Sequence, residues 1–181
     1  MEGKRPYRLK ARAERQAETR QRIVQAAVDL HETIGPAQTS IHAIAQRAGV
    51  QRHTVYAHFP DAQSLFAACS GHWYATHALP EVDGLDLPHA FDAVYRWFEE
   101  NERALALFAR DRRLYPEITA AREEQRGRVA DQLAAGVSRR KSVRAAVGHA
   151  LAFETWRSLV QREGLTRPQA VDAMVAFVES V

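Results

Sequence analysis

The sequence predicts an all-α protein of about nine helices, an N-terminal three-helix domain with a helix-turn-helix followed by a helical C-terminal domain. Three observations lead there. Apolar residues recur at helical spacing along most of the 181 residues, and no run sustains the alternation of a strand. Glycines and prolines fall between the periodic segments. Finally, the stretch from Thr39 to Phe59 divides at Gly49 into two short amphipathic helices.

The elements follow in order. A first helix over about 12–34 carries Ile23, Ala26, Ala27, Leu30 and Ile34 on one face and is stopped by Gly35-Pro36. In the second helix Ile41, Ile44, Ala45 and Ala48 form one apolar face, with Thr39 or Ser40 as its cap. Gly49 can end it in a left-handed conformation without a Cβ penalty. The third helix buries Val55 and Phe59 while Gln51, Arg52, His53 and Thr54 stay polar. A fourth helix starts after the cap Asp61 and runs through Leu65, Phe66, Cys69 and Trp73 towards Leu79-Pro80. Residues 80–88 read as a loop. Further helices follow around Phe91–Phe98, Leu105–Arg110, Pro116–Ala135, 142–163 and 167–180, the last starting at Thr166 with Pro168 in its first turn.

A short helix that offers polar residues at its N-terminal end suits the major groove, where base edges carry a readable pattern of donors and acceptors. The charge agrees. Residues 1–60 carry ten Lys or Arg against five Asp or Glu, whereas 61–181 carry fifteen against seventeen. A basic N-terminal third on a slightly acidic remainder separates a polyanion-binding part from one that need not touch DNA. Lys4, Arg5, Arg8, Lys10, Arg12 and Arg15 concentrate that charge in a basic arm, residues 1–18, which either is a solvated tail or follows DNA phosphates.

The pattern Thr19-Arg20, Ile23, Ala26-Ala27, Leu30, Gly35, Thr39-Ser40-Ile41, Ile44-Ala45, Ala48-Gly49-Val50, Thr54-Val55-Tyr56 and His58-Phe59 resembles the N-terminal domain of the tetracycline-repressor (TetR) family of bacterial transcriptional regulators. The likeness covers about 50 residues and implies a DNA-binding domain over 19–66 with a regulatory and dimerisation domain over 67–181. It implies a dimer on a pseudo-palindromic double-stranded operator and a repressor released by a small apolar or aromatic ligand. By residue type Arg52 is the best candidate to read guanine, Gln51 suits adenine or a phosphate, His53 a base or the backbone, and Thr54 a thymine methyl. Tyr56 and His58 stand where the family contacts phosphates, as do Thr39 and Ser40. Three departures are visible. Gln51 replaces the usual serine-type cap, Ala62 replaces a phosphate-contacting lysine (leaving Gln63 as a substitute), and His31 replaces an aromatic core residue.

The C-terminal part concentrates aromatic residues. Trp73, His77, Phe91, Tyr95, Phe98, Phe108, Phe153 and Trp156 are candidate ligand contacts, although a packed helical core accounts for most of them equally well. The last two helices are rich in small and apolar residues (Val143, Ala146, Val147, Ala150, Leu151 and Thr155; Ala170, Met174, Phe177 and Val178) and serve a homodimer interface, an internal core, or both. The fourth helix, joining both regions, is the expected lever between ligand and DNA.

Other classes are disfavoured. No zinc-type spacing, phosphate-binding glycine loop or nucleophile elbow occurs, so neither an enzyme nor a cofactor or metal is expected. Charged residues interrupt every apolar run well before 18 residues, and the basic N-terminus lacks the apolar segment of a secretory signal. The single cysteine, Cys69, suits a reducing cytoplasm. The alternative function is a ligand-independent DNA-binding regulator whose C-terminal domain serves only dimerisation or protein docking.

Overall fold

The first helix is longer than its apolar pattern requires. In the computed structural model, which describes residues 4–181 with side chains from Leu9 onward, α1 runs from Lys4 to Thr33. The expected start near residue 12 is therefore corrected. Residues 4–18 lack an apolar face, so periodicity could not detect them, but Ala, Arg, Gln and Glu are strong helix formers. Pro6 falls in the first turn, where a missing N–H costs no hydrogen bond.

After the 3₁₀ turn Pro36–Gln38 come α2 (Ile41–Ala48), α3 (Arg52–His58) and α4 (Ala62–Thr76). α1 packs on α2 and α4, and α2 on α3. Their shared core holds Ile23, Ala27, Ile44, Ala45, Val55, Phe59, Leu65, Cys69 and Trp73, each at most 3% exposed. Asp61 caps α4 as expected, its carboxylate accepting from the Ser64 N–H at 2.6 Å.

The chain divides into two units, each with its own core. The first comprises the residues up to His77 together with Leu107–Tyr115, and the second Ala78–Ala106 with Pro116–Val181. α4, expected to join both regions, lies wholly in the first. The element whose residues are shared is α6 (Glu102–Asp111), which enters the first unit from Leu107 onward.

In the second unit are α5 (Leu87–Glu100), the start of α6, α7 (Pro116–Ala135), α8 (Lys141–Ala150), α9 (Phe153–Arg157) and α10 (Arg167–Glu179). α10 packs on α5 and α8, and α8 on α7. The cap residues explain two boundaries. Asp86 accepts from the His89 N–H at 3.0 Å, so α5 begins inside what reads as loop, with Pro88 in its first turn. Thr166 and Gln169 form a reciprocal capping box at the start of α10.

The helix expected over 142–163 is broken, and this raises the count to ten α-helices among the described residues. Ala152 is extended (φ −83°, ψ 134°), and a π-helical turn, Ser158–Arg162, follows α9. The Tyr95 hydroxyl donates to the carbonyl of Ala150 at 3.0 Å, supplying the break with a partner no local rule reveals. No strand occurs among the described residues, and no helix of theirs is long and apolar enough to cross a membrane.

Candidate nucleic-acid interface

The helix-turn-helix is built by local rules. Ser40, in the β region, accepts from the Ala43 N–H at 3.1 Å and so is the cap of α2. Its hydroxyl proton remains available for an anion. Thr39 differs, because its hydroxyl donates to Gly35 O at 2.8 Å, which leaves only acceptor character for an outside partner. Gly49 adopts the left-handed conformation (φ 65°, ψ 38°) and turns the chain, and Val50 N–H returns to Ala45 O at 3.0 Å. Gln51 takes the cap position of α3 in extended conformation without a side-chain bond to the helix, consistent with a less firmly started recognition helix.

α3 divides sharply by face. Val55 is fully buried and Phe59, just beyond the helix, is 3% exposed. Gln51, Arg52 and His53 are exposed, Tyr56 is 50% exposed, and Thr54 and His58 are half-buried. Tyr56 therefore packs one half of its ring and leaves the other outside. Gln63, on the first turn of α4, is exposed as well. Arg5 and Arg8 fall on the first turns of α1, but their side chains lie outside the described residues.

Other polar groups nearby are committed to the fold. Arg47 of α2 pairs with Asp29 of α1 at 2.8 Å, and Gln25 also donates to that carboxylate at 2.8 Å. Partial burial raises the Asp29 pKa, but these partners outweigh it and hold the acid below the usual carboxylate range. The Arg22 guanidinium reaches the last carbonyl of α2, Ala48 O, at 3.4 Å. That of Arg20 lies 4.8 Å above the Phe59 ring, a cation–π contact beneath α3.

The corner before α2 is fixed by residues the sequence did not single out. Asp111 is 6% exposed and accepts the Ala37 N–H at 2.9 Å. Arg110 grips that carboxylate at 2.7 and 2.8 Å and donates to Ile34 O at 3.0 Å. The hydrogen bonds from Arg110 hold the Asp111 carboxyl below its ordinary value, with smaller help from Ala37 N–H and His31. Behind them His31 is buried against the Cys69 thiol, its Nδ1 3.4 Å from Sγ. Burial pushes the His31 pKa down to about 4 and raises that of the thiol. Phe66 stacks on Tyr115 at 3.5 Å between ring centres. No pattern in one sequence announces this cluster, because its members come from both ends of the unit.

The aromatic candidates for ligand contact fall into two groups. Trp73, His77 and Phe108 belong to the first unit, where Trp73 stacks on His77 (4.5 Å) and meets Phe108 edge-on (5.2 Å). The Trp73 indole N–H donates to Glu32 at 2.6 Å. Phe91, Tyr95, Phe98, Phe153 and Trp156 belong to the second unit and are each at most 9% exposed. Phe98, Phe153 and Trp156 form a triangle with centres 5.4 to 5.9 Å apart. The Trp156 side chain is fully buried, yet its indole N–H has no hydrogen-bond partner. Such a donor costs roughly 1–3 kcal/mol unless something accepts from it.

Among the described residues no group of three or more His, Cys, Asp or Glu is placed to hold a metal ion. What the first unit offers is a capped, tightly turned pair of helices with a polar face outward. That is the geometry of a helix-turn-helix. Residues 23–69 match the family described as bacterial regulatory proteins, tetR family. Solved structures with the same fold include a transcriptional regulator from Rhodococcus sp. Rha1, at 21% identity and TM-score 0.63, covering 88% of this chain and 95% of that one. Another is the multidrug binding protein EbrR complexed with imidazole, at 19% identity and TM-score 0.61, covering 87% and 88%. A TetR-like transcriptional regulator from Rhodococcus sp. RHA1 has 20% identity and TM-score 0.60, covering 88% and 93%. No curated protein sequence matches the chain.

Proposed function

We propose that the chain is a repressor that binds a pseudo-palindromic operator as a homodimer and is released by a small apolar or aromatic ligand. The observation that carries the DNA reading is the two-faced α3, with Val55 buried and Arg52, His53 and Tyr56 turned to solvent. Arg52 reads guanine through O6 and N7, while Gln51, His53 and the Thr54 methyl contribute further base contacts. Ser40, Tyr56, His58 and Gln63 hold phosphates, and Thr39 supports the α2 start rather than donating to DNA. One helix of this size gives modest specificity, and two in a dimer, ~34–36 Å apart, read two half-sites.

The dimer reading has its own support. Val143, Ala146, Val147, Ala150, Leu151, Thr155, Ala170 and Val178 are buried within one chain, so they serve the subunit core. Among the residues that α8 and α10 leave outside are Ala145, His149, Ala173, Ala176 and Phe177, the last 41% exposed, beside Arg144 and Asp172. Small residues around one exposed phenylalanine suit close helix–helix approach between two copies.

The ligand reading rests on Trp156, whose buried, unpartnered N–H lies beside Phe98 and Phe153 next to a broken helix. An aromatic ligand with an acceptor atom would satisfy it. A ligand preferring one arrangement of the dimer shifts the population away from DNA-competent spacing. α6, with residues in both units, is the covalent route for that shift.

Footprinting of the promoter beside the protein's own gene tests the first half. A protected inverted repeat is expected, and uniform or no protection would refute it. Titrating the complex with imidazole and larger nitrogen aromatics tests the second. Release by at least one compound, lost in Trp156→Phe, is expected. Operator affinity unchanged throughout would favour the ligand-independent alternative.

A further inference from the structure

α1 is 30 residues long, about 45 Å at 1.5 Å per residue. Among the described residues its buried side chains begin at Ile23. From Leu9 to Arg22 every side chain is exposed except Ala11 and Thr19, which are half-buried. Leu9–Gln16, roughly two turns, thus project without burying an apolar face, whereas Arg20 and Arg22 already touch Phe59 and Ala48. Isolated helices of this length are marginal in water, so the segment gains little by itself and most by binding something.

Residues 9–22 carry five Lys or Arg against two Glu. Arg12, Arg15, Thr19 and Arg22 are spaced three, four and three residues apart and share one stripe. Arg5 and Arg8 stand at the preceding positions of the same spacing, their side chains being outside the described residues. Glu14 lies off that stripe, and Glu18 borders it, three residues after Arg15 and four before Arg22. Among the described residues neither Arg12 nor Arg15 meets a carboxylate. The direction of the stripe is set by Arg22, whose guanidinium reaches Ala48 O, one residue before the Gly49 turn. Arg12 and Arg15 thus continue the stripe whose last member touches the end of α2.

We infer that the projecting part of α1 is a second DNA-contact surface, a rigid helical stripe that neutralises phosphates of duplex flanking each half-site. This rests on the DNA-binding reading above and deepens it. The occupant is argued from charge: Arg12 and Arg15 stand ~4.5 Å apart along the helix axis, and a DNA strand presents a phosphate every ~3.4 Å of axis. An extended arm could enter the minor groove, whereas a helix of this diameter is suited to lie along the backbone.

The test compares the full-length protein with Arg12→Ala/Arg15→Ala on two duplexes, one trimmed to the footprinted repeat and one with ten added base pairs on each side. Alanine preserves helix propensity, and both positions are exposed, so the fold should be kept, as circular dichroism would verify. On the flanked duplex the slope of log affinity against log salt should fall in magnitude by about 1.8 per subunit, and on the trimmed duplex by much less. Equal slopes for both proteins on the flanked duplex would overturn the inference while leaving the helix-turn-helix reading intact. Loss of all duplex binding by the unmodified protein would remove both. A variant defect seen only on anionic lipid vesicles, and not on DNA, would also overturn it.

Discussion

The Asp111 carboxylate accepts a hydrogen bond from the Ala37 N–H at 2.9 Å, joining positions 74 residues apart. Through it the end of α6 holds the corner from which α2, and hence α3, departs. Removing the carboxylate in Asp111→Ala leaves that N–H without its acceptor and takes two hydrogen bonds from the Arg110 guanidinium. The expected loss is about 1–3 kcal/mol, read by urea unfolding of the first unit. Gly35→Ala should cost at least as much. Gly35 has φ +88°, and a Cβ there would sit 2.7 Å from Asp111 Oδ2 and collide with Arg110. Wild-type stability in both variants would contradict the clamp.

Stability should depend on His31. Its folded pKa, about 4, lies below the ordinary 6.5, because burial disfavours the charged ring. Between those values the unfolded chain binds a proton that the folded chain refuses, so stability falls as pH drops from about 6.5 towards 4. The full effect is on the order of 3 kcal/mol. Asp111, with its lowered pKa, adds a loss at still lower pH, as its carboxylate protonates. Urea midpoints at pH 7.5, 6 and 5 should decline less in His31→Phe than in wild type. Parallel declines would show that His31 is not the responsible group.

Tyr95→Phe should destabilise the second unit by about 1–3 kcal/mol, since it removes the hydroxyl that donates to the Ala150 carbonyl. Thermal unfolding measures this. A change below about 0.5 kcal/mol would mean that the break at Leu151–Ala152 is supported by other means.

Tyr56 and Arg52, both outward on α3, should fail differently. Tyr56→Phe keeps the packed half of the ring and loses a hydroxyl, so binding should weaken about equally on every duplex. Competition titrations against matched and scrambled duplexes distinguish this from a specificity change.

The features that sequence reading recovers are those governed by local rules. Ser40, Gly49, Asp61 and Thr166 mark helix ends because a hydroxyl, a carboxylate or a left-handed residue is needed at one particular position. Val55 and Phe59 are legible as core because helical spacing separates them from Arg52 and His53. The early start of α1 is not, since residues 4–18 fold as a helix with no apolar stripe to display it. Nor is the break after Ala150, where no glycine or proline interrupts the pattern and the partner, Tyr95, comes from another helix. Asp111 and Arg110 escape for the same reason, because what defines them is a contact with Ala37 and Ile34 across the fold. The aromatic residues were visible as a group, but their division between two units was not.

The most direct measurement is selection of bound sequences from a randomised duplex pool, followed by titration of wild type and Arg52→Ala on the selected site and on each single-base variant. The account predicts an enriched inverted repeat with half-sites about 10–10.5 base pairs apart, and loss of about 1–3 kcal/mol of discrimination at one guanine position in Arg52→Ala. No enriched sequence, or an unchanged preference in Arg52→Ala, would contradict it.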